Sequence, residues 1–337
     1  MKILVLTESD IKPLLSISET VEAVETAFRE KGLGYAEMPA KPYLFYRKYD
    51  GDLRVMPSYL ERLGVSAVKV VNSHPNNPSR FNLPTVMATI ILIDPRNGMP
   101  LAIMNGTWIT AMRTGGACGV AAKYLARKDS KVVGLVGAGM QARTQLAALL
   151  SLYKGLEEVR VWSLTQPAKE LERRDAFISE MKEMYRKEIG RIFPVDKVED
   201  AVKGADIVVT ATPSRKPLVL NGWISPGMHF NCIGADAPGK EELDPAILKR
   251  AKIVVDDWEQ SSHGGEINVP VAEGMITKKD IWGDICEIAV GLKPGRTSSN
   301  EITVFVSSGL AVQDAITAKI VYDKAVSIGA GQFIDFS

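Results

Sequence analysis

Cysteine is scarce in this 337-residue chain: Cys118, Cys232 and Cys286 are few, widely spaced and odd in number. They outline neither a disulfide framework nor a zinc pattern, and the expected compartment is a reducing cytoplasm. Net charge is also nearly absent, at +1. That balance gives no bulk attraction to nucleic acid or to a membrane surface. No apolar run approaches the ~20 residues of a membrane-spanning helix. The opening MKILVLTESD is too short in its apolar part for a secretion signal. Repeats and low-complexity segments are lacking. So are a P-loop, a G-x-S-x-G elbow and an H-E-x-x-H helix, and HGGE at 263–266 does not replace the last of these. His74 and His263 stand alone without ligand spacing, so no catalytic metal is expected.

What is present is an ordinary globular composition, 46% hydrophobic and 24% charged, in a length that suits two domains. Residues 131–142, KVVGLVGAGMQA, read as a strand, a tight turn and a helix start. Gly137, Gly139 and Ala142 give a G-x-G-x-x-A spacing. The first glycine allows the turn, the second lets a pyrophosphate approach the backbone, and the small third residue packs helix on strand. The helix N-terminus adds unpaired N–H groups and a positive dipole end.

The rhythm differs on the two sides of this turn. Residues 2–6 form an expected strand, and Ser16 to Glu19 is a capping signal for a helix carrying Val21, Val24, Ala27 and Phe28. Then KPYLFYRK, LRVMPSYL, VSAVKVVNSH and VMATIILIDP read as short strands of an antiparallel or mixed sheet, with a small-residue helix over 108–128. After 131, strands at 159–162, 191–195, 206–211, 229–234 and 252–257 alternate with helices expected at 167–187, 198–204 and 241–250. That alternation implies a parallel, doubly wound sheet. A long helix follows Gly309, then a polar tail. The fold class expected is α/β, a Rossmann-type parallel-sheet domain inserted in a smaller α+β substrate and dimerisation domain. The boundaries expected are 1–117 with 308–337 for the substrate domain and 118–307 for the NAD(P)-binding domain.

Several residues could carry chemistry. The acid that usually reads the cofactor ribose is missing at the second strand tip, where Trp162, Ser163, Leu164 and Thr165 stand. Ser163 and Thr165 could bond either a 2′-hydroxyl or a 2′-phosphate, so NAD and NADP both stay open. Arg54, Lys69 and Arg113 are cations in the N-terminal half. Lys69 sits mid-strand between Val68 and Val70, where an unpaired charge is expensive. Each cation reads either as a carboxylate clamp or as a solvated or salt-bridged residue. Asp236, just past an apolar strand, reads either as a general acid–base or as an N-cap for a following turn.

The ordered blocks LRVMPSYL, KVVNSHPNNP, LPTVMA, TAMRTGGACGVAAKYLA, GLVGAGMQA, DIVVTATPSRKP, NCIGADAPGKEELD, HGGEI and ITVFVSSGLAVQD resemble the ornithine cyclodeaminase/mu-crystallin family over nearly the whole length. The resemblance implies a homodimer, whose small-domain sheets join, with a nicotinamide cofactor bound at a cleft. It implies Lys69 and Arg113 as substrate-carboxylate ligands and Asp236 as the acid–base residue near the substrate nitrogen. Gly137, Gly139, Met140 and Gln141 match the pyrophosphate loop. Thr212 and Pro213 match a cofactor-side segment, and Asn72 and Thr85 the pocket region.

Two departures bear on activity. Ornithine cyclodeaminases carry Glu where this chain has Arg54, and many relatives carry Asp where it has Val306, a change that implies a more apolar pocket. Both disfavour a substrate with a second ammonium. The expected activity is NAD(P)H-dependent reduction of a 2-imino acid, first Δ1-pyrroline-2-carboxylate to L-proline, with alanine dehydrogenase next. Ornithine cyclodeaminase and a non-catalytic mu-crystallin-like binder of NADPH are the remaining readings. Partners expected are a small imino or amino acid and a second copy of the chain, with no nucleic acid and no membrane.

Overall fold

The computed structural model describes residues 2–164 and 168–336. Its strands, in chain order, are β1 (Lys2–Leu6), β2 (Ala36–Glu37), β3 (Tyr43–Tyr46), β4 (Gly51–Leu60), β5 (Val65–Ser73), β6 (Val86–Ile93), β7 (Pro100–Asn105), β8 (Val132–Val136) and β9 (Glu158–Trp162). There follow β10 (Arg191–Pro194), β11 (Ile207–Thr210), β12 (Arg215–Val219), β13 (His229–Cys232), β14 (Glu241–Leu243), β15 (Lys252–Val255), β16 (Ile281–Asp284), β17 (Thr303–Val306) and β18 (Gln332–Asp335). The long helices are α1 (Ile17–Gly32), α2 (Gly106–Leu125), α3 (Met140–Leu152), α4 (Ala168–Met184) and α5 (Ala311–Ile328). The chain divides into two compact units, residues 1–114 with 309–337 and residues 115–308, and the division falls inside α2.

The first unit holds a mixed sheet in the order β18-β1-β7-β6-β5-β4-β2, with β3 also paired to β4. Only β1 and β7 run parallel; the other pairs are antiparallel. Alternation decides which side chains go inside, because successive residues of a strand face opposite ways. On β4 the even positions are buried, from Asp52 and Arg54 to Leu60. On β5 the odd positions are, including Lys69. Helix α5 packs on β4, β5 and β6, and α1 packs on α5. Phe28, Val24 and Ala27 of α1 are fully buried. Each large apolar side chain buried in this way contributes about 1.5–3 kcal/mol. Ser16 caps α1 by accepting from Glu19 N at 3.4 Å, as its spacing predicts.

The second unit holds an eight-stranded sheet in the order β10-β9-β8-β11-β13-β17-β15-β16, parallel throughout. The strand order reverses between β8 and β11. In open α/β sheets, ligands gather at the carboxyl ends of the strands at such a reversal. Strands β8, β11 and β17 are buried along most or all of their length and read as near-continuous apolar runs, the signature of a sheet covered on both faces, while β13 is equally buried but pairs its polar His229 and Asn231 with each other.

Two expectations change. Residues 241–250 are not one helix: 241–243 form β14, and the following helix is confined to Pro245–Leu248. Proline at 245 opens that short helix, capped by Asp244, which accepts from Ala246 N. The tail is not merely polar, since Gln332–Asp335 pairs antiparallel with β1 after turns at Gly329 and Gly331, both in the left-handed region. Residue 306 ends a core strand. Val306 is fully buried and belongs to the same apolar core as Cys232, Val255 and Ile267.

Candidate active site

In the first unit, two cations converge on one acid. Lys69 Nζ donates to Asp314 Oδ1 at 2.7 Å, and Arg113 Nε donates to the same oxygen at 3.0 Å. Arg113 Nη1 donates to Gln313 Oε1 at 2.7 Å. All four side chains are buried, Lys69 to 1% exposure and Asp314 to 1%. The elements explain the meeting. Lys69 takes a buried odd position of β5, Arg113 lies on α2, and Gln313 and Asp314 lie in the first turn of α5. A carboxylate in the first turn is favoured by the helix dipole. Gly309, at φ +81°, leads into that turn, and a Cβ there would come within 2.5 Å of Arg113 Nη1.

The pairing is incomplete in charge. Two cations share one oxygen of one carboxylate, and Asp314 Oδ2 is buried with no hydrogen-bond partner among the described residues. Lys41 adds a third positive charge close enough to be felt at Lys69, and its Nζ donates to Gly309 O. Burial, then the charge of Arg113, then that of Lys41, pull the Lys69 ammonium down to about 7 against the opposing pull of Asp314.

Arg54 is held differently. It shares the buried sheet face with Lys69, but its Nε and Nη2 grip Asp52 Oδ1 and Oδ2 at 2.8 and 2.9 Å. Tyr43, its cross-strand partner, lies with its ring 5.2 Å from the guanidinium. The fork is therefore spent on an acid two residues away on the same strand face. Asn72 falls at an even position of β5, on the sheet face opposite Lys69, and is not gathered into this cluster. Thr85 precedes β6 and holds the chain through its carbonyl, which accepts from His74 N.

In the second unit, Gly137 follows β8 at φ +118°, and a Cβ there would lie 2.7 Å from Ala211 O. That close approach pins the turn against the end of β11. Gly139 is the N-cap of α3 with no side-chain cap, and a Cβ there would meet nothing within 4 Å. Met140, half exposed, starts α3, and Gln141 Oε1 is buried with no partner among the described residues. Ser163 is 5% exposed, and its hydroxyl donates toward Leu164 O and Glu170 O. Thr165 lies outside the described residues. Thr212 gives both its N–H and its hydroxyl to Glu242 Oε1, and Pro213 follows it in the same turn.

Asp236 lies in the loop after β13, its side chain one-third exposed, and accepts from Lys240 Nζ at 2.6 Å. A turn over 237–239 follows it, no helix starts there, and its own N–H returns to Gly234 O. Sequence reasoning missed Lys41, Asp52, Asp314, Lys240 and Glu242. The signals were weak but present. Asp52 is two residues from Arg54 on a strand, and Asp314 is an acid within a largely apolar helix, where charge needs a partner.

A family model described as Ornithine cyclodeaminase/mu-crystallin family matches residues 1–329. The alanine dehydrogenase of Archaeoglobus fulgidus is 48% identical over 336 residues, spanning 100% of this chain and 99% of that protein. A solved archaeal alanine dehydrogenase, described as a dimer with bound NAD, matches with a TM-score of 0.92 and 47% identity over all of both chains. The Δ1-pyrroline-2-carboxylate reductase of Thermococcus litoralis, solved with NADH and L-proline, matches with a TM-score of 0.92 and 42% identity over 98% of this chain and 99% of that one.

Proposed function

The chain belongs to the ornithine cyclodeaminase/mu-crystallin family, and from that premise we propose that it is a nicotinamide-dependent oxidoreductase that reduces the carbon–nitrogen double bond of 2-imino acids. The observation that carries this reading is the buried, net-positive cluster of Lys69 and Arg113 around a single oxygen of Asp314. Buried positive charge in excess favours an incoming anion, and a substrate carboxylate supplies one. Lys69 has three N–H donors and Arg113 five, so both retain donors after meeting Asp314 and Gln313. Asp314 fixes where those donors point.

The residues after β8 and β11 fit a dinucleotide. Gly137 gives the tight turn, Gly139 leaves backbone open to a pyrophosphate, and the α3 N-terminus offers uncapped N–H groups. NAD or NADP would be held by Gly137, Gly139, Met140 and Gln141, with Thr212 and Pro213 on the β11 side. When bound, the reduced cofactor supplies a hydride. Lys69 and Arg113 hold the substrate carboxylate and orient the imine carbon, which lowers the barrier by positioning. Asp236 serves as the acid–base group for the substrate nitrogen, and Lys240 holds its carboxylate in place. Arg54 shapes the substrate side through Asp52 and Tyr43.

The imine placed first is Δ1-pyrroline-2-carboxylate, giving L-proline, because a cyclic imine needs no second charge partner and Arg54 stands where cyclodeaminases carry an acid. A second reading, pyruvate and ammonia to L-alanine, is favoured by the 48% identity to an alanine dehydrogenase. The assembly proposed is a homodimer through the outer face of the first unit's sheet, where Val55, Val68, Val70, Ile91 and Ile103 are only half buried. Among the described residues no helix is long and apolar enough to cross a membrane.

Purified protein assayed for NADH and NADPH oxidation with Δ1-pyrroline-2-carboxylate, with pyruvate plus ammonia, and for ornithine turnover separates these readings. No oxidation with either of the first two substrates would sink the reductase proposal. Cofactor binding without turnover of any imine, with D236N binding as wild type does, would favour a binding protein.

A further inference from the structure

The second unit buries two carboxyl groups that the reading above does not use. Glu242 and Glu266 are 0% and 1% exposed. Glu242 Oε1 accepts from Thr212 N at 2.7 Å and from Thr212 Oγ1 at 2.6 Å, while its Oε2 accepts from Gly234 N at 3.0 Å. Thr212 lies just past β11, and Gly234 just past β13, which is its parallel neighbour. One carboxylate thus bridges the carboxyl ends of two adjacent strands. Gly234 is needed for that approach: a Cβ there would lie 2.5 Å from Glu242 Oε2 and 2.1 Å from Thr212 O.

Glu266 in turn holds Glu242. Its Oε1 accepts from Glu242 N at 2.8 Å and from Leu243 N at 2.6 Å, fixing the backbone of β14. Its Oε2 is buried with no partner among the described residues. The two acids are therefore unequal. Glu242 meets three donors across both oxygens, which pull its carboxyl down against the burial that raises it to about 7. Glu266 meets donors on one oxygen only.

We propose that Glu242 is a positioning residue for the cofactor site: accepting on both oxygens, it ties Thr212 to Gly234 and fixes the end of β11 beside Gly137, while Glu266 next to it is the acid that holds its proton more tightly. Two neighbouring buried carboxylates cannot both ionise cheaply, so one proton is retained between them. Burial and the charge of Glu242 push Glu266 well up, with Glu241 adding to the push. Cys232, which neighbours both acids and Cys118, is itself driven up by burial and by both acids and stays a neutral thiol.

The proposal rests on the nicotinamide reading above and is tested by cofactor binding, without turnover. In E242Q one amide nitrogen must face a backbone N–H, either at Gly234 or at Thr212, so one strand end loses its acceptor. In E266Q the amide oxygen keeps both N–H bonds and the NH2 group replaces an O–H. NADH titration by fluorescence should show a Kd raised at least tenfold in E242Q and within about twofold of wild type in E266Q, with the KM for imino acid at saturating NADH unchanged in E266Q. Should E242Q not fold, E242D keeps the charge but is one methylene too short to span both strand ends, and its Kd should rise in the same direction. Infrared difference spectra should show one buried protonated carboxyl in the wild type that E266Q removes. Equal Kd values for wild type, E242Q and E242D, or E266Q as damaging as E242Q, would overturn it. Wild-type protein that binds neither NADH nor NADPH would instead defeat the nicotinamide reading itself.

Discussion

Lys69 and Asp314 lie 245 positions apart in the chain and meet at 2.7 Å inside the first unit. Their contact is the centre of the proposed substrate grip, and it makes the grip testable by stability as well as by rate. Asp314 Oδ1 answers both Lys69 and Arg113, so D314N leaves two buried cations sharing a neutral amide. Removing one member of a buried ionic group costs about 3–5 kcal/mol. Urea unfolding of D314N should show a loss of that order. An unchanged midpoint would mean that the two cations do not depend on Asp314.

The same contact sets a pH dependence. The Lys69 ammonium, drawn down to about 7 chiefly by burial, is charged below that pH and neutral above it. The charge that would hold a carboxylate is lost as pH rises through about 7. The expected outcome is a kcat/KM for imino acid that falls across that range in wild type, and a flattened fall in K69R, since Arg keeps its charge. Stability carries the opposite slope from this residue. Between about 7 and the ordinary lysine value of 10.5 the unfolded chain holds the proton that the folded chain has released, so the Lys69 contribution rises with pH. A profile identical in wild type and K69R would remove Lys69 from substrate binding.

Arg54 and Asp52 form a bidentate pair, both 8% exposed. R54A strands Asp52, and a loss of about 2 kcal/mol is expected from an unsatisfied buried charge. R54K should recover less than half, because an ammonium cannot fill both ends of the fork. The KM for imino acid should rise in R54A while the NADH Kd holds. Equal stability of R54A and wild type in denaturant titrations would show that the pair contributes nothing.

Gly139 offers the most direct check on the turn after β8. Alanine there meets no atom within 4 Å, so folding stability should stay within about 0.5 kcal/mol. The added methyl would stand where the proposed site would take the pyrophosphate, and NADH Kd should rise more than tenfold in fluorescence titration. G139A that binds NADH like wild type would move the phosphates elsewhere.

The sequence carries the second unit's architecture plainly. Apolar runs such as Val132–Val136 and Ile207–Thr210 are the strands, and Gly137 makes in the structure the tight turn that its spacing requires. Charge partners are harder to see. Arg54, Lys69 and Arg113 stand out as cations, but their acids do not, because partners are chosen by which strand face or helix turn they reach. Asp52 is close in sequence yet reads as a turn residue after Asp50–Gly51. Asp314 is distant and lies within a helix whose other positions are largely apolar. Asn72 shows the converse: one residue of parity puts it on the other face of β5. Glu242 was hidden inside a stretch with helical spacing, which Pro245 divides into a strand and a short helix.

The placement of Asp314 also bears on how the chain is made. The first unit's buried cations, Lys69 and Arg113, emerge from the ribosome long before the acid that pairs with them, and so does β1 before its edge partner β18. The second unit is contiguous and is complete before residue 309 appears. During synthesis the inserted unit can close first, while the unit that begins the chain stays open until α5 arrives to cover its charges. A chain truncated ahead of Ala311 should therefore yield a folded, nucleotide-competent second unit attached to an unsettled first one.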